Sequence, residues 1–259
     1  MLQRYGLVEV DGQVITTRDL AEAVRVIKAR LMQPRSFMVC TLNLDHLVKL
    51  RTDARFRDAY AKAEIVLADG FPIVTFARMK GVALERATGS DLIEPLCREA
   101  AVNGLPIYLM GATFETLCTA ARTLSKNIPG LQVAGVYAPP PQFDAISAVA
   151  DEALAAIRES GARICLVALG APRQELFSAR AVDATSGVCY VGIGASLDFI
   201  AGTQTRCPPV LQRLNLEWAW RAASDPRRLV PRYAACAALF AQLYARYAWR
   251  NFWPAQSRP

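Results

Sequence analysis

The chain contains a single histidine, His46, so a site built from several histidines is excluded. Its seven cysteines, at 40, 97, 118, 165, 189, 207 and 236, include no CxxC pair, which removes the usual zinc-ribbon spacing. Most sit in apolar runs such as MVCTL, RICLV and GVCYV, where cysteine acts as a small hydrophobe in a reducing compartment. No GxxxxGK[ST] occurs, and GIGASL lacks the third glycine of a dinucleotide fingerprint, so P-loop and NAD-binding readings are both weak. No stretch long enough to span a bilayer is free of charge, and the start Met1–Val8 has no apolar signal region, which predicts no secretion.

What remains is a globular composition of 259 residues, 53% hydrophobic and 20% charged, enough for one large domain or a domain with an appendage. The net charge of +7 is unevenly spread. Residues 1–202 carry 21 Lys and Arg against 21 Asp and Glu, whereas residues 203–259 carry nine arginines against Glu217 and Asp225. The excess belongs to the tail and predicts a polyanionic partner or an anionic membrane surface.

Through residue 202, apolar strand candidates alternate with helical patterns. Strands are expected at 37–41, 64–68, 106–110, 132–137, 163–169 and 188–193, and helices at 19–32, 53–62, 90–103, 113–127, 145–160 and 173–184. The alternation predicts an α/β fold with a Rossmann-like, mostly parallel sheet and helices on both faces. APPPQ, 138–142, reads as a surface loop. Beyond GIGASLDFIAG the pattern turns helical and arginine-rich, with Pro208, Pro209, Pro226 and Pro231 expected to break it into short helices. The last helix, roughly 233–252, mixes Phe240, Tyr244, Tyr247, Trp249 and Phe252 with arginines, and Trp253 follows. That mixture suits packing on the core or, with the tail's charge, a membrane interface.

Open α/β sheets bind ligands beyond the carboxyl ends of their strands. Strand 37–41 runs into Thr41-Leu42-Asn43, strand 64–68 into Asp69-Gly70, and strand 163–169 into GAPRQE, 170–175. MGATFE, 110–115, and GIGASLDF, 192–199, are glycine turns that bring backbone N–H groups and a helix dipole to bear on phosphate. Plainer readings exist beside these: Asn43 and Asp69 as caps, Gln174 and Glu175 as a solvated first turn favoured by the dipole.

In chain order, TLNLDH, ADGFPIV, ERATGSDL, LMGA, GAPRQE, GIGASLDFIAG and LEWAWRAASDPRRLVPRY resemble the WecG/TagA/CpsF family of bacterial glycosyltransferases, from about residue 5 to 250. The resemblance implies an inverting enzyme at the cytoplasmic membrane face that moves a sugar from a UDP-sugar to a polyprenyl-diphosphate-linked saccharide. It implies that Asp69 is the catalytic base, that Thr41 and Asn43 share its pocket, and that Gln174 lies beside the nucleotide sugar. Arg86, Gly111 and Asp198 join as substrate-binding positions within ERATGSDL, LMGA and GIGASLDF. Arg221, Arg228 and Arg232, with Arg206 and Arg213 as neighbours, are the arginines expected to close over the diphosphate. On this resemblance, 1–202 is the catalytic core and 203–259 a helical appendage for active-site closure and membrane association. No cofactor and no nucleic acid are implied, and a homo-oligomer is compatible. Pro72 in ADGFPIV and Cys207 in Arg206-Cys207-Pro208 depart from the family pattern, so the donor stays open among N-acetylmannosamine, its uronic acid and glucose.

The chemistry agrees with these roles. Inversion needs a carboxylate to take the acceptor's proton as its oxygen attacks the anomeric carbon. Departing UDP needs cations or aligned dipoles. With no D-x-D to hold a metal, arginines fit, because the guanidinium fork matches diphosphate oxygens. The rivals are a non-catalytic, membrane-peripheral nucleotide-binding scaffold of a polysaccharide assembly complex and a soluble NAD-dependent enzyme. UDP binding without turnover marks the first, and a cofactor-dependent absorbance change marks the second.

Overall fold

Asp11 and Gly12 both have positive φ, +50° and +82°, the backbone of a two-residue turn whose twist matches its flanking strands. They join β1 (Val8–Val10) to β2 (Gln13–Ile15) in an antiparallel hairpin. No strand is among the expectations here, although D-G between the alternating VEV and QVI is a hairpin signal.

The computed structural model describes residues 7–205, 207–208, 218–220 and 225–252. After the hairpin come α1 (Leu20–Leu31), β3 (Phe37–Leu42), α2 (Leu44–Thr52), α3 (Ala54–Tyr60), β4 (Ala63–Ala68), α4 (Phe71–Met79) and α5 (Gly89–Val102). Then follow β5 (Ile107–Met110), α6 (Phe114–Asn127), β6 (Val133–Tyr137), α7 (Ala148–Glu159), β7 (Ile164–Val167), α8 (Arg173–Ala184), β8 (Cys189–Gly192), α9 (Ser196–Ala201) and α10 (Pro226–Phe252). Strands β3 to β8 form one parallel sheet in the order β4-β3-β8-β7-β5-β6. The six expected strands and their helices are therefore present.

Burial explains the parallel arrangement. FMVCTL of β3 and IYLM of β5 are buried at every position, as strands covered on both faces must be. Phe37 and Val39 of β3 pack on one face with Ile27 of α1, Leu92 of α5, Leu117 of α6 and Leu197 of α9. Met38, Cys40 and Leu42 pack on the other with Leu47 of α2, Phe56 of α3, Phe76 of α4 and Ala179 of α8. Helix α7 completes that second face against β5 and β7. All seven thiols are free and six are buried. Burial raises Cys40, Cys165 and Cys189 above the ordinary thiol range, and burial with Glu94 pushes Cys97 up to about 12.

The tail corrects one expectation. Pro226 and Pro231 do not divide it, because α10 is one helix of 27 residues that runs through Pro231. Pro226 opens the helix, where its missing N–H is not needed, and Pro231 gives up one backbone hydrogen bond. Packing offsets that loss. Leu239, Leu243 and Tyr247 join the cluster of Val8, Val10 and Phe76, with the Tyr247 ring 5.4 Å from that of Phe76. Pro208 lies outside any helix, and Pro209 lies outside the described residues.

Polar contacts close the same seam. The Asp11 N–H donates to Tyr247 Oη at 3.2 Å. The Asp11 carboxylate accepts from Arg51 Nε and Nη2 at 2.7 and 3.0 Å and lies 3.5 Å from Arg246 Nη1. The outward side of α10 shows Val230, Tyr244 and Trp249, the last 68% exposed. Leu243→Ala should therefore lower the unfolding free energy by about 2–5 kcal/mol, whereas Val230→Ala, at a 54% exposed position, should stay within about 0.5 kcal/mol. Denaturant titration of both variants measures the contrast.

Candidate active site

Leu42 of β3 and Ala68 of β4 are register partners, and Asp69 extends the ladder by donating its N–H to the Leu42 carbonyl at 2.8 Å. Asn43 and Asp69 consequently meet at the carboxyl edge of the sheet. Asn43 caps α2 and also lies beside Asp69. Its Oδ1 accepts from the His46 N–H at 2.9 Å, capping α2, and its Nδ2 donates to Asp69 Oδ2 at 3.3 Å. A backbone donor on one side and a carboxylate on the other leave the amide one orientation.

Asp69 itself is half-buried. Thr41 is buried, and its carbonyl meets His46 Nδ1 at 2.6 Å and accepts from Tyr60 Oη at 3.1 Å. Since a carbonyl only accepts, the histidine proton resides on Nδ1. Burial, with the charges of Cys40, Glu175 and Asp69, holds Tyr60 well above the usual phenol range, so it stays a neutral donor. The chain's one histidine thus ties the end of β3 to α2.

Close backbone approaches gather the other strand ends. Gly111, after β5, has φ +114°, and a Cβ there would lie 2.6 Å from the Ala168 carbonyl carbon. A Cβ on Gly89, at the start of α5, would lie 2.7 Å from the Gly192 oxygen, and one on Gly192 would lie 2.9 Å from Gln174 Nε2. The start of α5, the end of β8 and the Gln174 amide therefore touch with no side chain between them. Gln174 Oε1 accepts from the Gly194 N–H at 3.1 Å, and its Nε2 donates to Glu175 Oε1 at 2.8 Å. The solvated-turn reading of this pair fails, because Gln174 is 5% and Glu175 1% exposed.

Helices α5, α6 and α8 each begin at this edge, and their positive ends suit a diphosphate. Thr88 and Asp91 form a capping box on α5, and the Ala87 N–H donates to the Ala68 carbonyl at 2.9 Å. That bond lays the exposed Arg86 beside the end of β4. Asp198 organises the turn after α9: its carbonyl accepts from the N–H groups of Thr203 and Gln204, and its Oδ1 accepts from Thr203 Oγ1 at 3.3 Å.

Arg232 comes to α2 rather than standing open, with its Nε 2.7 Å from Oδ1 of buried Asp45, which also pairs with Lys49. Arg206, Arg213 and Arg221 lie outside the described residues, as does the side chain of Arg228. Sequence reasoning did not reach Tyr60, or the contact of Ser90 Oγ with Ser196 Oγ at 2.5 Å. The serines fall inside ERATGSDL and GIGASLDF, which was the available signal, whereas nothing local marks Tyr60. Among the described residues no three His, Cys, Asp or Glu side chains gather to hold a metal ion.

A parallel, helix-covered sheet that sets a carboxylate, two oriented amides and several helix N-termini along its carboxyl edge has the layout of an α/β protein that binds its ligand there. The chain belongs to the family described as Glycosyl transferase WecG/TagA/CpsF, whose model matches residues 8–253. It is accordingly a glycosyltransferase of cell-surface polysaccharide synthesis.

Asn43→Asp separates the two jobs of Asn43. Aspartate caps helices as well as asparagine, so the cap on α2 should survive the change. Two carboxylates would then face each other, and like charge disfavours ionisation, so the pair should titrate at higher pH than Asp69 does beside Asn43. Carboxyl ¹³C shifts followed against pH measure this. An unmoved titration would show that the contact between the two side chains is not maintained in solution.

Proposed function

We propose that the protein is an inverting, metal-independent hexosyltransferase moving a sugar from a UDP-sugar to a polyprenyl-diphosphate-linked saccharide. The observation that carries this reading is the Asp69 carboxylate, half-buried at the ligand edge and held by Asn43 Nδ2 at 3.3 Å. Asp69 takes the proton of the acceptor hydroxyl as that oxygen bonds to the anomeric carbon. The bond from that carbon to UDP breaks on the opposite face, which inverts the centre and releases UDP. Charge developing on UDP meets the N-termini of α5 and α6 and the cationic tail, with Thr41, Asn43, Arg86, Gly111, Gln174 and Asp198 contributing to substrate binding.

The division at residue 202 belongs to the same proposal: a catalytic core, then an appendage that closes the site and rests on the inner membrane face. Arg206, Arg221, Arg228 and Arg232 are its proposed diphosphate contacts. Arg232 would first exchange its partner Asp45 for phosphate. Among the described residues no helix is long and apolar enough to cross a membrane. The exposed Tyr244 and Trp249 beside Arg246 suit an interfacial position instead.

Asp69→Asn should retain UDP binding and lower turnover about 100-fold or more, the range for a lost general base. Near-normal turnover would remove Asp69 from the mechanism. Activity of the unaltered chain should also survive excess EDTA. Loss that Mg²⁺ or Mn²⁺ restores would defeat the metal-independent reading. Trp249→Ala should weaken sedimentation with anionic vesicles while leaving turnover of a water-soluble acceptor intact, and undiminished sedimentation would count against this membrane-facing surface.

A further inference from the structure

Glu175 is 1% exposed, the most deeply buried charged side chain among the described residues. Only one of its oxygens is matched there: Oε1 accepts from Gln174 Nε2 at 2.8 Å, while Oε2 has no hydrogen-bond partner among the described residues. Ser178 Oγ, one turn further along α8, is also buried without one. A buried carboxylate with one hydrogen bond is a poor choice for stability. Such exceptions concentrate where function requires them.

What the arrangement accomplishes is seen at its neighbour. A glutamine amide can sit in two orientations related by a flip, one offering oxygen and the other nitrogen to a given direction. Gln174 lies between two groups of opposite demand. The Gly194 N–H requires Oε1 on one side, and Glu175 Oε1 requires Nε2 on the other. Gly192, which has no side chain to intervene, lets the amide lie against the end of β8. One hydrogen of Nε2 is used on Glu175, which leaves the second to offer.

We propose that Glu175 is a positioning residue of the donor site: its carboxylate locks the Gln174 amide against the Gly192–Gly194 turn so that the second Nε2 hydrogen is donated to an oxygen of the nucleotide sugar. Glu175 touches no substrate and acts through Gln174. The proposal rests on the transferase reading for its ligand, a nucleoside diphosphate sugar. It goes beyond that reading in giving the glutamate a job and Gln174 a fixed polarity.

Calorimetric titration with UDP-glucose and UDP-N-acetylmannosamine, without acceptor, tests it. With whichever donor binds the unaltered chain, Glu175→Ala should raise the dissociation constant about ten-fold, as expected for one hydrogen bond involving a charged group. Gln174→Ala should do at least as much, and the double variant should be no worse than Gln174→Ala, because the two residues act as one unit. Glu175→Gln, which still offers Nε2 an acceptor oxygen, should recover binding to within about three-fold. Glu175→Met, which keeps the volume, stands in if the alanine variant fails to fold; it should bind as weakly yet melt no lower than the unaltered chain. Multiplying losses in the double variant, or donor binding unaffected in both Glu175→Ala and Glu175→Met, would overturn the proposal. So would a melting temperature lowered by about 5 °C or more in Glu175→Met with binding unchanged, which marks a packing residue. The expected binding pattern without sugar transfer to any lipid-diphosphate acceptor sinks the transferase reading and leaves the positioning role standing. Transfer accompanied by multiplying binding losses does the reverse, and absence of donor binding by the unaltered chain defeats both.

Discussion

The pairing of β3 with β4 is the constraint on which the site depends. Leu42 stands opposite Ala68, so the two strands end level and the next residues, Asn43 and Asp69, project from one edge. A slip of one residue would carry the side chains of β3 to the opposite faces of the sheet. Phe37 and Val39 would then trade places with Met38 and Cys40 in clusters built for different shapes. Core packing therefore enforces the register, and the register places the carboxylate beside its amide. The Asp69 N–H on the Leu42 carbonyl at 2.8 Å is the last bond of that ladder.

Much of this was legible in the chain because strand ends in α/β proteins are written locally. An apolar run followed by Asn or by Asp-Gly announces both the element and its ligand edge. The hairpin at Asp11-Gly12 was equally local and went unread, since three-residue strands barely register as alternation. Other features had no local signature. Whether Pro231 breaks the tail depends on the seam of Leu239, Leu243 and Tyr247 that packs α10 on the core, and α10 continues through the proline. The burial of Glu175 depends on how α8 packs against β3 and α3, which its own neighbours in the chain do not reveal. Amide orientations depend on partners distant in sequence, as Gly194 is from Gln174.

Charge shows the same division between local and tertiary information. The tail's arginine excess reads as a surface seeking an anion, and part of it is satisfied within the chain. Arg246 lies near Asp11, and Arg232 grips Asp45 in the first turn of α2, two residues past the Asn43 cap. Some of the positive charge thus secures α10 to the rest of the fold. Its docking point adjoins the helix whose cap holds Asp69.

The bond from the Asp11 N–H to Tyr247 Oη joins residues 236 positions apart. Val8, Val10 and Ile15, at one end of the chain, share a cluster with Leu239, Leu243 and Tyr247 near the other. A nascent chain emerging from the ribosome can pair its parallel strands as they appear, yet this cluster stays open until α10 has been made. Contacts of such sequence separation form late and slowly. The hairpin and Phe76 would meanwhile expose apolar surface, giving chaperones an obvious place to bind. Assembly of this face is thereby tied to synthesis of residues 239–247, and a chain arrested before residue 239 lacks Leu239, Leu243 and Tyr247 from that cluster.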